Sequence, residues 1–385
     1  MGFLGGQRKI EGSAEGALPR DDAGLSVATA GETPWAQQSV LTSRRWVTTM
    51  LTLVGASLLV MIASLRFGAE DIGFTNVSQI LFLALRHGQD GVESISPAGI
   101  ILLQVRLPRV LLGFMVGSSL AAVGVGLQAL LRNPLADPYV LGISSGAALG
   151  AAVAMLLGIG TTVLALSAIS LCAFLGGLLS LVVVYRIALS YGHLPVHTLL
   201  LAGVILNAIF SALIMFVTAT MNPNRSFGMM SWLMGTMTAP DYPALTSLAL
   251  YLLVGGLILV WQARPLNILT LGEESARSLG VEVERVKKTV FFTSALLTGA
   301  VVSVSGLIGF VGMVIPHAVR MVIGPDHRLL LPASALVGGM FLLAADTVAR
   351  TLLAPAEIPV GVVTALAGGP FFIYLLTSRK GGLAR

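Results

Sequence analysis

Residues 107–131 read LPRVLLGFMVGSSLAAVGVGLQALL, an almost uninterrupted apolar run with one charged side chain, Arg109. An α-helix rises 1.5 Å per residue, so about 20 apolar residues cross the hydrocarbon core of a bilayer. Glycine recurs at short spacing inside the run, as at Gly113 and Gly117, which allows helices to approach closely in lipid. The stretch therefore predicts a membrane-spanning helix that packs tightly against its neighbours.

The composition of the whole chain is typical of a membrane protein. Of 385 residues, 55% are hydrophobic and 11% charged, and the mean hydropathy is +0.89, whereas soluble domains carry about 25% charged residues. Because apolar residues run continuously and do not alternate with polar ones, the spans are helices and not barrel strands. Ten spans are predicted, at 46–65, 107–131, 139–158, 162–185, 199–219, 243–262, 288–305, 306–323, 329–348 and 359–377.

This count defines an all-α integral membrane protein with two parts. Residues 1–42 lack the apolar core of a signal peptide and are interpreted as a disordered cytoplasmic N-terminal tail. Residues 43–385 form the ten-helix transmembrane domain.

The net charge of +5 does not indicate nucleic-acid binding, because the basic residues lie at span ends and not on one face. The single cysteine, Cys172, lies in an apolar run and is interpreted as a packing residue.

The positions of basic residues orient the predicted bundle. Cytoplasmic segments of membrane proteins carry an excess of Lys and Arg. If both termini lie inside the cell, 17 of the 23 basic residues are cytoplasmic and six are external. We therefore expect both termini on the cytoplasmic side.

The energy source is expected to lie outside this chain. No phosphate-binding Gly-x-x-x-x-Gly-Lys-Ser/Thr loop occurs, and nearly all acidic residues lie at span ends or in loops, whereas ion-coupled carriers place them near the midplane. The deepest, Asp346, comes four residues before Arg350. A stand-alone secondary carrier or channel remains the alternative. No His-Glu-x-x-His-type cluster indicates an enzyme or a metal site.

Six motifs keep their order between residues 100 and 377. They are Arg106-Leu-Pro-Arg109, Asn133 to Pro138 with Leu141-Gly-Ile-Ser-Ser-Gly146, Leu199-Leu-Leu-Ala-Gly203, Leu271 to Gly280, Gly306 to His317, and Ala354 to Val363. In these motifs the sequence resembles the iron-chelate and cobalamin permease family of ATP-binding-cassette (ABC) importers.

The resemblance implies an assembly and a task. A homodimer of ten-helix subunits in the bacterial inner membrane would work with two ATPase subunits and a periplasmic binding protein. ATP and Mg would bind to the ATPase subunits, so this chain itself would carry no cofactor and catalyse no reaction. The cargo would be an iron chelate or cobalamin, with haem as first choice, then a siderophore or cobalamin.

The resemblance also implies roles for particular residues. The segment Glu273-Glu274-Ser275-Ala276-Arg277-Ser278-Leu279-Gly280, with acids in its first turn and Gly280 at its end, would be the coupling helix that contacts an ATPase subunit; a charged surface loop is the alternative. Arg106, Arg109 and Arg350 would dock acidic residues of the binding protein by bidentate hydrogen bonds; lipid-phosphate contact is the alternative.

The predicted pathway begins at the loop before the fifth span. Val196 and His197 occupy the positions of the cytoplasmic gate, where family members often carry small hydroxylated side chains. Leu199, Asn207 and Ser211 would line the pathway, the last two on one helix face. Beyond the span, five methionines surround Trp232. They could let a bulky apolar ring slide past, which favours haem, or could simply pack a short helix.

Overall fold

The computed structural model describes residues 41–380, apart from 69–72, 88–96, 160–161, 164–165, 190–192 and 239. The predicted tail, 1–42, therefore lies outside the described residues except for its last two. The α-helices of the described residues, in chain order, are α1 Ser43–Arg66, α2 Phe74–His87, α3 Pro97–Leu130, α4 Ile143–Leu157, α5 Ala168–Ala188, α6 Val196–Thr220, α7 Pro223–Leu233, α8 Tyr242–Trp261, α9 Ala263–Leu269, α10 Glu273–Ser278, α11 Val283–Ser305, α12 Val311–Ile323, α13 His327–Thr351 and α14 Val360–Lys380.

Seven of these helices are long and apolar enough to cross a membrane: α1, α3, α5, α6, α8, α11 and α13. Each coincides with one of the predicted spans, so the all-α membrane fold is confirmed at this level. The other three predicted spans coincide with α4, α12 and α14, whose apolar segments are shorter. The count of ten crossings therefore stays a prediction.

Local sequence explains where several helices begin. The side chain of Thr42 accepts a hydrogen bond from the backbone N–H of Arg45 at the start of α1, and Asn222 does the same for Arg225 in α7. At α13 the carboxylate of Asp326 accepts from the N–H of Arg328. These side chains satisfy donors that have no partner within the helix.

Helix α3 is the centre of the bundle, and glycine allows its close contacts. A Cβ at Gly117 would lie 2.3 Å from the carbonyl oxygen of Gly338 in α13, and one at Gly124 would lie 1.8 Å from that of Gly312 in α12. Between α4 and α5, a Cβ at Gly150 would lie 2.1 Å from the Cys172 carbonyl. The prediction that glycines serve packing is confirmed at these positions.

The structure departs from the predicted spans at three places. Helix α3 begins ten residues before the predicted 107, with a π-helical segment at Ile101–Arg106. Before α5, Thr162–Val163 pairs with Leu166–Ser167 in a two-stranded ladder. The eighth predicted span begins at 306, but α12 begins at Val311, because Gly306 and Phe310 both have positive φ and interrupt helical geometry.

Candidate functional site

One end of the bundle holds a compact charged group, here called the arginine cluster: Arg109, Asp346, Arg350 and Glu357. Asp346 is completely buried and lies between two guanidinium groups, with one oxygen 2.9 Å from Nη2 of Arg109 and the other 2.9 Å from Nε of Arg350. Glu357 lies 2.9 Å from Nη1 of Arg109 and is 55% exposed. Two acids therefore balance two bases, and only Glu357 reaches far into solvent.

Arg106 lies apart from this cluster. It is 5% exposed, and its Nη1 donates hydrogen bonds of 3.0 and 2.7 Å to the carbonyl oxygens of Leu65 and Arg66. These are carbonyls of the last turn of α1, which have no partner within the helix. The side chain thus connects the π-helical segment of α3 to the end of α1.

The burial of these arginines bears on the predicted docking role. Arg350 is 6% exposed and also donates to the carbonyl of Phe67, so it is buried to nearly the same degree as Arg106. The Arg109 side chain is 14% exposed and meets the half-exposed Glu357. Of the three predicted docking residues, Arg109 is the least buried, and the docking role of all three stays a prediction.

The predicted coupling segment forms the expected short helix. Helix α10 spans Glu273–Ser278, and Gly280 follows it with φ +81°. The N–H of Gly280 donates to the carbonyl of Arg277 and that of Val281 to Ala276, each at 3.0 Å. This is the Schellman arrangement, in which the residue after the helix needs a left-handed backbone that glycine adopts readily.

A buried ammonium group fixes α10 to the rest of the chain. Lys287 of α11 is 3% exposed, and its Nζ lies 2.7 Å from Glu284, 3.4 Å from Glu273 and 2.9 Å from the carbonyl oxygen of Leu194. Glu284 also accepts a 2.9 Å hydrogen bond from the N–H of Leu194. We call these four residues the lysine junction.

The predicted gate residues lie two and three positions after Leu194 of the lysine junction. Val196 and His197 are the first two residues of α6. Val196 is partly buried and His197 is exposed. Farther along, Asn207 donates a 2.8 Å hydrogen bond to the carbonyl of Tyr139, and Ser211 is exposed. Leu199 is 2% exposed within the core, which argues against it as a lining residue.

Most of the methionines near Trp232 serve packing. Met221, Met229 and Met237 are at most 9% exposed, whereas Met230 and Met234 are 55% and 41% exposed. Trp232 is itself 9% exposed. Three of the five soft side chains are therefore unavailable to a passing cargo, and the packing explanation accounts for them.

A cavity of about 610 Å³ lies between α5, α8 and α11. Hydroxyl groups and aromatic rings line it, among them Ser170, Phe174, Thr236 and Tyr251, together with one carboxylate, Asp241. Among the described lining residues none is basic. The cavity therefore offers no positive charge to a carboxylate-bearing cargo, and its residues are not among those predicted for the pathway.

Comparison with known proteins decides the family. The model of the FecCD transport family matches residues 56–378, which include the arginine cluster, the lysine junction and α10. The chain belongs to the FecCD transport family. This FecCD chain is 46% identical over 284 residues to the cobalamin import system permease protein BtuC of Halobacterium salinarum, covering 74% of this chain and 75% of that one.

Other FecCD relatives carry different cargo names. Identity is 43% over 281 residues to the hemin transport system permease protein HmuU of Yersinia pestis, covering 73% of this chain and 84% of that one. A solved inward-facing structure of a metal-chelate type ABC transporter superposes with a TM-score of 0.72 at 31% identity, over 86% of this chain and 99% of that one. The predicted family, iron-chelate and cobalamin permeases of ABC importers, is confirmed.

Membership of the FecCD family also settles the class of activity. The relatives are permease subunits, which translocate and do not catalyse, so this chain is a multi-pass permease subunit of a metal-chelate, B12 or haem type ABC importer. Within the described residues, no group of three or more His, Cys, Asp or Glu side chains is arranged to hold a metal ion.

Sequence reasoning about this FecCD chain missed two residues. The sequence indicates Asp346 only as the deepest acid, and it includes Lys287 only unnamed among the 17 basic residues expected on the cytoplasmic side. The i, i+4 spacing of Asp346 and Arg350 and the i, i+3 spacing of Glu284 and Lys287 place each pair on one helix face. That signal could have found both pairs before the structure did.

Proposed function

We propose that two copies of this chain form the membrane pathway of a binding-protein-dependent importer for bulky metal chelates. Each copy would contribute ten membrane crossings, with both termini in the cytoplasm of a bacterial cell and the chain in the inner membrane. The observation that carries the proposal is α10, a short polar helix fixed to the bundle by a buried charge, within a chain that belongs to a family of ABC importer permeases.

The ends of the bundle suit different partners in this proposal. The end that bears α10 would face the cytoplasm, where two ATPase subunits bind ATP and Mg, and the α10 residues Glu274, Arg277 and Ser278 are exposed for contact. The end that bears the arginine cluster would face the periplasm. Arg109 would receive an acidic group of the binding protein there, in exchange for Glu357.

The pathway would lie between the two copies, along the exposed face of α6. Ser211 lies on that face, and exposed apolar side chains share it. Such a surface has few polar groups that could hold the polar substituents of a bulky ring system by hydrogen bonds. The cargo could therefore pass without a deep energy well. Val196 and His197 would narrow the pathway where α6 begins.

Haem is the first choice of cargo, followed by a ferric siderophore and cobalamin. The exposed Met230 and Met234 supply soft, polarizable contacts for a flat ring. Relatives with haem and cobalamin names match this chain at similar identity, 43% and 46%. The order of preference therefore rests on the chemistry of these exposed side chains and not on the comparison of identities.

The decisive experiment is uptake by the reconstituted complex. The chain, its ATPase subunits and its binding protein are placed in proteoliposomes, and labelled haem, ferric siderophore and cobalamin are supplied in turn. We expect ATP-dependent accumulation of one of the three compounds, and haem is the compound we expect first. Gradient-driven flux through the chain alone would instead establish a stand-alone carrier or channel.

The role of α10 has its own test in the same system. Gly280→Pro removes the N–H that donates to Arg277 and requires φ near −65°, far from the observed +81°. Gly280→Ala keeps the donor and costs about 1–2 kcal/mol for the left-handed backbone. We expect uptake to fall strongly with proline and mildly with alanine. Full uptake with both variants would remove α10 from the mechanism.

A further inference from the structure

We propose that Lys287 is the positioning residue through which a displacement of α10 reaches the start of α6. This inference rests on the proposed function, because it assumes that α10 receives the push of an ATPase subunit and that α6 borders the pathway. It adds a mechanical connection between those two places. The connection is the lysine junction, Leu194, Glu273, Glu284 and Lys287.

The Lys287 ammonium group contacts oxygen atoms from three segments of the chain. Glu273 begins α10, Glu284 lies in the first turn of α11, and Leu194 precedes α6. The ammonium group donates hydrogen bonds to the Leu194 carbonyl and to the Glu273 carboxylate, and it forms an ion pair with Glu284. If one of the three segments moves away, the buried ammonium group loses one of these contacts.

Burial makes that loss costly. Lys287 is 3% exposed, so water cannot readily replace a departing partner. Removing one partner of a buried charge is far more destabilising than breaking an exposed ion pair. A force that shifts α10 is therefore transmitted to Leu194 in preference to breaking the junction.

The connection from Leu194 to α6 is short and conformationally restricted. Both polar groups of the Leu194 backbone are held, the carbonyl by Lys287 and the N–H by Glu284, at 2.9 Å each. The Leu194 side chain is 3% exposed in the core. Pro195 follows with φ −67°, and α6 begins at the next residue, Val196. Proline fixes its φ angle, so a shift of Leu194 moves the first turn of α6.

The other charged contacts of this region are poor substitutes for Lys287. Arg132 and Arg277 lie 3.7 and 3.5 Å from Glu273, and His193 lies 3.5 Å from Glu284. Their side chains are 41%, 53% and 64% exposed. Exposed pairs of this kind contribute little and are screened by salt. Lys287 is the buried member that joins all three segments.

The test uses the full complex of chain, ATPase subunits and binding protein in proteoliposomes. Lys287→Met keeps the length of the side chain and removes the charge, and the neighbouring Lys288→Met is the matched control. With Lys287→Met, ATP hydrolysis should continue while cargo moved per ATP falls about tenfold, the change expected for a loss of ~1.4 kcal/mol in coupling. Lys288→Met should leave this ratio near that of the wild type.

A second readout follows α6 directly. In a Cys172→Ala background, Leu201→Cys places a thiol on the exposed face of α6, one turn into the helix. Its labelling rate should change when ATP is added, and Lys287→Met should abolish that change. If Lys287→Met does not assemble with the ATPase, Glu273→Gln replaces it in both measurements. This variant removes the carboxylate charge at the α10 end of the junction and leaves Glu284 and Leu194 in contact with Lys287.

The outcomes separate the two proposals. If the wild-type complex imports and Lys287→Met imports equally well per ATP with an unchanged labelling response, the junction has no coupling role. If the wild-type complex imports nothing, the proposed function fails. The ATP-dependent labelling of Leu201→Cys still decides in that case whether Lys287 connects α10 to α6.

Discussion

Gly117 and Gly338 face each other where α3 crosses α13, and each occupies the space that a side chain on the other would need. A Cβ at Gly117 would lie 2.3 Å from the Gly338 carbonyl oxygen, and a Cβ at Gly338 would lie 2.5 Å from that of Gly117. Real Cβ atoms do not approach backbone oxygens this closely. The contact between the two central helices is therefore a backbone contact.

The first prediction concerns this crossing. Gly117→Ala or Gly338→Ala should separate α3 from α13 and lower the unfolding temperature of the purified chain in detergent, since overpacking typically costs about 1–3 kcal/mol. Gly256→Ala in α8 is the control, because no atom lies within 4 Å of a Cβ there. Unchanged unfolding temperatures for both crossing variants would show that the helices separate at no cost.

The second prediction concerns the buried carboxylate of the arginine cluster. Asp346→Asn leaves Arg109 and Arg350 without the acid that lies between them, and breaking a buried ion pair costs about 3–5 kcal/mol. We expect a large fall in unfolding temperature or loss of expression.

Glu357→Gln is the control for this cluster. Glu357 pairs with Arg109 but is 55% exposed, and an exposed pair contributes about 0–1 kcal/mol. Its unfolding temperature should stay near that of the wild type. Equal effects of the Asp346 and Glu357 variants would contradict the burial argument.

The third prediction is a pH dependence at the connection between α3 and α4. Partial burial raises the pKa of Asp137 from its ordinary 3.8 to about 6, although its carboxylate accepts a hydrogen bond from the N–H of Tyr139. The folded chain therefore holds this proton more tightly than the unfolded chain does, and stability is lost as pH rises from about 4 through about 6. Asp137→Asn keeps the acceptor and should raise stability more at pH ~7.5 than at pH ~5.

Asp326→Asn should behave differently and serves as the comparison. The hydrogen bond from Arg328 is the main cause that lowers the pKa of Asp326 from 3.8 to about 2. This carboxylate stays ionised between pH ~5 and ~7.5, so its stabilisation is lost only as pH falls through about 4 to 2. Asp326→Asn should therefore destabilise the chain equally at both pH values, as followed by thermal unfolding.

The fourth prediction tests docking at Arg109. An acidic group of a binding protein would compete with Glu357 for this guanidinium. Glu357→Gln should thus tighten association severalfold, while Arg109→Gln weakens it and reduces its dependence on salt. Surface plasmon resonance at two ionic strengths measures both. The exposed Arg86, changed to Gln, is the control; if all three variants bind equally, docking does not use Arg109.

Hydropathy predicted the membrane-spanning helices well. A run of about 20 apolar residues in a bilayer must pair its own backbone polar groups, and an α-helix does so within one segment. Local motifs also performed well: Gly280 ends α10 as expected, and Ser305-Gly306 separates α11 from α12. These features depend on residues close together in the chain. Amphipathic α2 was missed because its apolar run is too short to count as a span.

Long-range pairing was beyond sequence reasoning. Arg109 and Asp346 are 237 positions apart, and nothing in the spacing indicates that they meet. Composition also cannot separate helices that face lipid from helices that face protein. The apolar windows of α1 and α3 have nearly equal mean hydropathy, 2.0 and 2.1, yet 11% of one and 78% of the other is buried.

The one cysteine of the chain, Cys172, lies in α5 with its carbonyl against Gly150. A single change to alanine therefore yields a thiol-free background without adding bulk at this helix contact. A maleimide too polar to cross the bilayer can then report, one engineered thiol at a time, which compartment each loop occupies. The sidedness of the whole chain becomes measurable in intact cells, starting with the exposed Ser278 of α10.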